Sequence, residues 1–169
     1  MGARGPTDPT LPVPCAVLQT LLAAVPEGAR GELRSVGHDT GIALARWIGE
    51  SGPDSSPSWD AICEAWQNFG LGRLSRTVPG PGLLEIVNAE SGLPPGAPEF
   101  GRGLLEGLIE GFVSEPVGVM TTSLADTSGD SGADVSDRYV VGAPELLARL
   151  EPGLESGRSI GDLMEEVWS

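Results

Sequence analysis

Between residues 100 and 113 two rows recur at one pitch: Phe100, Leu104, Leu108 and Phe112, and beside them Gly103, Gly107 and Gly111. Recurrence every fourth residue marks neighbouring stripes of one helix. A glycine inside a helix costs roughly 1 kcal/mol relative to alanine. A whole row of them makes sense only if the missing side chains let something come very close. The same spacing dimerises membrane helices. Here Arg102, Glu106, Glu110 and Glu115 interrupt the stretch, and a bilayer span needs ~20 largely apolar residues. The spacing therefore predicts a soluble-type helix lying flush on a sheet.

A second notched helix is predicted over residues 31–49. Leu33, Val36, Leu44, Trp47 and Ile48 share a stripe with Gly37, Thr40 and Gly41, so it too should pack tightly on a partner. A shorter helix over 14–25 is opened by Pro14 and closed by Pro26. Ser58 reads as the N-cap of a third, whose apolar face is Trp59, Ile62, Cys63, Trp66 and Phe69, and Gly70 and Gly72 end it. Two hairpins follow from alternation. In the first, 73–78 carries Leu74 and Val78, Pro79-Gly80-Pro81-Gly82 turns, and Leu83–Ala89 returns. The second joins 117–124 to 135–141 through the loop 125–134. Residues 51–58 and 91–98 read as loops. The tail, 144–168, is helical by pattern with breaks at Pro152-Gly153 and near Gly157. This order predicts an α+β domain over 14–143, a four-stranded antiparallel sheet from two hairpins packed on a helical layer. Residues 1–13 would be a flexible tail and 144–169 a C-terminal helical extension.

Charge narrows the partners. The chain of 169 residues has 24 acidic against 10 basic residues and a formal net charge of −14. Nucleic acid and anionic membrane need clustered positive charge, so neither is an expected partner. Every basic residue is Arg, which removes Schiff-base chemistry, a P-loop lysine and a lysine base. Cys15 and Cys63 lie far apart without a CxxC spacing, as two buried thiols would. The first fourteen residues hold four prolines and no apolar run, unlike a secretory signal, and the expectation is a cytoplasmic protein.

Three constellations have possible chemistry. The loop 126–137 spaces Asp126, Asp130, Asp134 and Asp137 with glycines between, as calcium needs. Its sixth position is Ser131 and its last Asp137, where an EF-hand wants Gly and Glu, so it reads as a solvated acidic loop. His38 with Asp39 could be a general base, but neighbours on a helix point apart. Glu106 and Glu110 share a helix face; they are expected on its wet side or facing Arg groups of a partner rather than as an acid–base pair. No catalytic residue and no metal ligand is assigned.

Four segments in order resemble the bacterial and archaeal 4-vinyl reductase domains, related in fold to the core subunits of the TRAPP tethering complex. They are Leu33-Arg34-Ser35-Val36-Gly37 with Gly41, the run Trp66-Gln67-Asn68-Phe69-Gly70-Leu71-Gly72-Arg73, residues 100–117, and Asp137-Arg138-Tyr139-Val140-Val141. The resemblance covers about residues 30–143. It implies a bacterial module that binds an apolar small molecule or a protein more often than it performs chemistry. Zinc-binding cysteines of some members are replaced by Pro98-Glu99 and Asp137, and no flavin or nicotinamide signature is present, so no cofactor is implied. On that architecture Trp47, Trp66, Phe69, Phe100, Leu104, Leu108 and Tyr139 would surround an apolar pocket between helices and sheet. Leu33, Gly37, Gly41 and Leu44 would form a homodimer face, or the chain would sit in a larger complex. The expected function is a non-enzymatic binding or scaffold module, possible variants being a sensor or carrier for aromatics or tetrapyrroles, or an accessory subunit in tetrapyrrole vinyl reduction.

Overall fold

The computed structural model describes residues 15–50, 58–93, 98–122 and 137–167. The acidic calcium-like loop up to Asp134, the tail 1–13 and most of the loop 51–58 lie outside the described residues. The elements are α1 (Cys15–Ala23), a 3₁₀ segment (Glu27–Glu32), α2 (Leu33–Glu50), α3 (Trp59–Asn68), β1 (Arg73–Gly80), β2 (Leu83–Ala89), α4 (Pro98–Val113), β3 (Gly118–Thr122), β4 (Asp137–Gly142), α5 (Pro144–Glu155) and α6 (Ile160–Val167).

All four strands form one antiparallel sheet in the order β1-β2-β4-β3. The expected α+β fold with two hairpins on a helical layer is therefore present, with β2 and β4 joining the hairpins. Register places Ile86 opposite Tyr139, and Val119 opposite Val141. Because side chains alternate along a strand, the sheet has two apolar faces. Ile86, Val119, Tyr139 and Val141 belong to one core with α1 to α4. Leu83, Met120 and Val140 belong to a second core with Leu147, Leu150, Leu163 and Met164 of α5 and α6. Helices thus cover both faces, not one.

Local chemistry accounts for most element ends. Ser58 Oγ accepts the Ala61 N–H at 3.2 Å and opens α3. At its other end Gly70 turns left-handed (φ 69°), and Leu71 N–H returns to Trp66 O at 3.2 Å. The hairpin turn is Pro81-Gly82, with Gly82 at φ 74°, and β1 runs on through Pro79 and Gly80 rather than turning there. Proline is tolerated in β1 because it is an edge strand. The predicted break at Pro152-Gly153 is absent: α5 continues to Glu155, since a proline in the last turn removes only one ladder bond. Among the described residues no helix is long and apolar enough to cross a membrane.

The glycine rows meet each other. Gly37 and Gly41 lie on the backbone of α4, where a Cβ would stand 2.9 Å from Leu104 N and 2.6 Å from Leu108 N respectively. Gly103 and Gly107 lie on α2 in return, with added Cβ atoms 2.8 Å from the carbonyl carbons of Arg34 and His38. Since Arg34 pairs with Gly103 and His38 with Gly107, the two helices run parallel. The expectation that the Gly103 row lies on the sheet is corrected; α4 presents its glycines to α2 and its Leu105, Leu108 and Phe100 to the core.

Candidate functional site

Five of the seven predicted pocket residues are gathered in the core shared by the sheet, α3 and α4. Trp66, Phe100, Leu104, Leu108 and Tyr139 are each at most 4% exposed. α3 delivers Trp66 from its last turn, and its indole N–H donates to Asn88 Oδ1 at 3.2 Å. Asn88, itself fully buried on β2, donates from Nδ2 to Leu71 O at 2.9 Å. Both polar side chains are thereby satisfied, as a buried network must be. Gly72 serves this network: it sits at φ 116° with no room for a Cβ against the Asn88 carboxamide.

Tyr139 differs. It is 1% exposed, and its hydroxyl makes no hydrogen bond of good geometry among the described residues, the Asp137 carboxylate being the acceptor nearby. Burial first, and then the charge and hydrogen-bonding influence of nearby Asp137, push its pKa well above the usual phenol value. It therefore remains a protonated donor across the physiological range. Ser91 Oγ donates to one oxygen of the Asp137 carboxylate, Oδ2. An unpaired buried hydroxyl costs about 1–3 kcal/mol. Beside it lie Gly101 and Leu93: a Cβ at Gly101 would stand 2.9 Å from the Tyr139 oxygen and would collide with Leu93 Cδ1. The absence of a side chain at position 101 leaves the space over the start of α4 to Leu93 and the Tyr139 hydroxyl.

The remaining predicted residues fall elsewhere. Phe69 is half-buried and packs against the margin of this core. Trp47 is 37% exposed and does not line it. The buried stripe of α2 is narrower than its apolar spacing predicts: Val36 (53% exposed), Thr40 and Trp47 occupy the outer side, while Leu33, Gly37, Gly41 and Leu44 occupy the inner side. Those four, expected as a dimer face, are buried within the chain, the two glycines against α4. The close approach that they permit is made by this chain's own helix, which corrects the assignment to a second copy.

Sequence reading also missed a charged ladder beside the glycine seam. Arg34 donates to Glu106 in a two-pronged pair, Nε to Oε2 and Nη2 to Oε1, both 3.0 Å. One turn further, His38 Nε2 and Glu110 Oε2 are 2.7 Å apart, while Glu110 Oε1 accepts the Val117 N–H at 3.0 Å. The hydrogen bond to Glu110 raises the His38 pKa above its ordinary value against the opposing effect of burial. Asp39 stands 3.6 Å from Nδ1, beyond hydrogen-bond distance. The ladder clasps α2 to α4 and fixes the exit of α4 into β3. Glu106 and Glu110 do face cations, but those of α2 in the same chain. Among the described residues no group of three or more His, Cys, Asp or Glu is placed to hold a metal.

No family model matches the sequence, and no curated protein matches it. Solved structures do. A vinyl-4-reductase family protein from Methanocaldococcus jannaschii is similar with a TM-score of 0.51 and 14% identity, over 79% of this chain and 83% of that one. The phenol-responsive sensory domain of the transcription activator PoxR, in its structure with phenol, is similar with a TM-score of 0.57 and 14% identity, over 86% of this chain and 82% of that one. At that identity the likeness is one of fold.

Proposed function

We propose that this chain is a non-enzymatic binding module that takes an apolar, hydroxyl- or carbonyl-bearing small molecule into the core around Tyr139 and signals occupancy to a protein partner. The observation that supports this reading most is the Tyr139 hydroxyl, a buried donor whose one nearby acceptor, Asp137, is not in good hydrogen-bond geometry, in the same core as Trp66, Phe100, Leu104 and Leu108. An apolar cage with one placed polar group is the usual make-up of a small-molecule site. The phenol-responsive domain of similar fold supports the same ligand class.

Leu93 would be the plug. It lies against Gly101, which also faces the Tyr139 oxygen, in the connection between β2 and α4. A ligand entering there displaces the Leu93 side chain, supplies an acceptor to Tyr139, and shifts the start of α4. Because α4 is locked to α2 through the glycine seam, that shift would reach the outer side of α2, where Val36 is exposed and would meet a second copy or another protein. Calorimetric titration with phenol tests the reading. Phenol should bind the wild type at about 1 mM or tighter, the affinity of roughly −4 kcal/mol, and Leu93→Ala should bind it more tightly. Absence of heat in both proteins would contradict it.

A further inference from the structure

The other face of the sheet holds a groove that the Tyr139 cage does not use. Its volume is about 610 Å³, within the roughly 300–1,000 Å³ of sites for drug-sized ligands. Pro79, Met120, Leu154 and Ile160 give it an apolar side. Thr122 and Arg138, cross-strand partners of β3 and β4, line it together with Glu85. Arg158, Ser159 and Gly161, from the corner between α5 and α6, close the far lip.

Charge decides what such a groove can hold. Arg138 Nη1 donates to Glu85 Oε1 at 2.9 Å, and Thr77 Oγ1 donates to Glu85 Oε2 at 3.0 Å. Arg158 Nη2 donates to Glu166 Oε2 at 2.7 Å. Each guanidinium is already matched by a carboxylate, so an anion gains no net positive charge there. Hydrogen-bonding capacity remains. Among the described residues, Arg138 Nε and Thr122 Oγ1 are both shielded from solvent and both without a partner. Unfilled groups of this kind are costly when buried, and they lie where an apolar surface can bury the body of a ligand.

We infer that this groove is a second ligand site, one for an uncharged amphipathic molecule with an aromatic or aliphatic body and a carbonyl or hydroxyl oxygen. The oxygen accepts from Arg138 Nε–H and from the Thr122 hydroxyl, after a small turn of these side chains. The body lies on Pro79, Met120, Leu154 and Ile160. Glu85 is a positioning residue: it holds the guanidinium by Nη1 and leaves the Nε edge for the ligand. The site does not depend on the Tyr139 cage, which lies on the opposite side of the sheet.

The test uses the full chain and prodan, an uncharged fluorescent naphthalene ketone, beside dimethylaminonaphthalene, the same ring system without the ketone. Gly161→Phe fills the groove without touching the core, since a Cβ there meets only Ser159 Oγ at 3.8 Å. Prodan should saturate the wild type, perturb the amide resonances of Thr122, Ser159 and Gly161, and bind Gly161→Phe at least about tenfold more weakly. The wild type should prefer the ketone over the ketone-free ring, and Arg138→Met should lose that preference. No saturable prodan binding, equal binding by Gly161→Phe, or perturbation of Trp66 and Tyr139 in place of the groove residues would overturn the inference. Tighter binding at these residues by the anionic dye anilinonaphthalene sulfonate would overturn the assignment to an uncharged ligand.

Discussion

Gly107 of α4 rests on the carbonyl of His38 of α2, so close that a Cβ at Gly107 would stand 2.8 Å from the carbonyl carbon and inside the contact radius of its oxygen. The same His38 turns its ring to Glu110, one turn along α4. One residue therefore supplies both the backbone seat and the side-chain clasp of the helix pair. Arg34 does the same for Gly103 and Glu106.

Gly107→Ala should consequently destabilise the fold, although alanine favours a helix by roughly 1 kcal/mol. Overpacking against backbone that cannot step aside costs more, and a net loss of about 2–3 kcal/mol is expected from urea unfolding. Gly28→Ala, where nothing lies within 4 Å, should stay within about 0.5 kcal/mol. Equal stability of the two variants would contradict the close seam.

The His38 clasp carries a pH signature. Its folded pKa is raised, chiefly by the hydrogen bond to Glu110, with Asp39 and Glu106 adding in the same direction. A raised folded pKa means that the contribution to stability is fully present below the unfolded value near 6.5 and is lost as pH rises through the folded value. The urea midpoint of the wild type should therefore fall between pH 6 and pH 8 by more than that of Glu110→Gln. Parallel slopes in the two proteins would contradict the clasp.

Trp66, Asn88 and Leu71 form a chain of buried hydrogen bonds at 3.2 and 2.9 Å. Trp66→Phe removes the donor to Asn88 Oδ1 and should cost about 1–3 kcal/mol beyond the lost packing. Asn88→Asp would place a carboxylate in a fully buried position and should be worse than Asn88→Leu, which removes both polar atoms. Guanidinium denaturation of the three variants gives the order, and an Asp variant as stable as the wild type would rule out this network.

Particular residues show how far the sequence could be read. Leu83–Ala89 is recognisable as a strand residue for residue, because a Pro-Gly turn sets it after the alternating run 73–78. The tandem Pro79-Gly80 and Pro81-Gly82 offer two turns, and only pairing with β2 chooses between them. Glycines announce that a backbone will come near but not whose, so the partner of Gly37 and Gly41 had to be seen. Arg34 and Glu106 are separated by 72 residues, a pairing for which local spacing carries no signal. Tyr139 could be placed on the inner face by alternation, whereas its hydroxyl's want of a well-placed acceptor depends on every neighbour in the packed core.

The most direct test of the account is the two-dimensional amide and indole spectrum of the labelled chain titrated with phenol. The reading predicts saturable shifts of the Trp66 indole and of Leu93, Gly101 and Tyr139, weakened about tenfold in Tyr139→Phe. Shifts confined to the surface, or an identical titration in Tyr139→Phe, would contradict it.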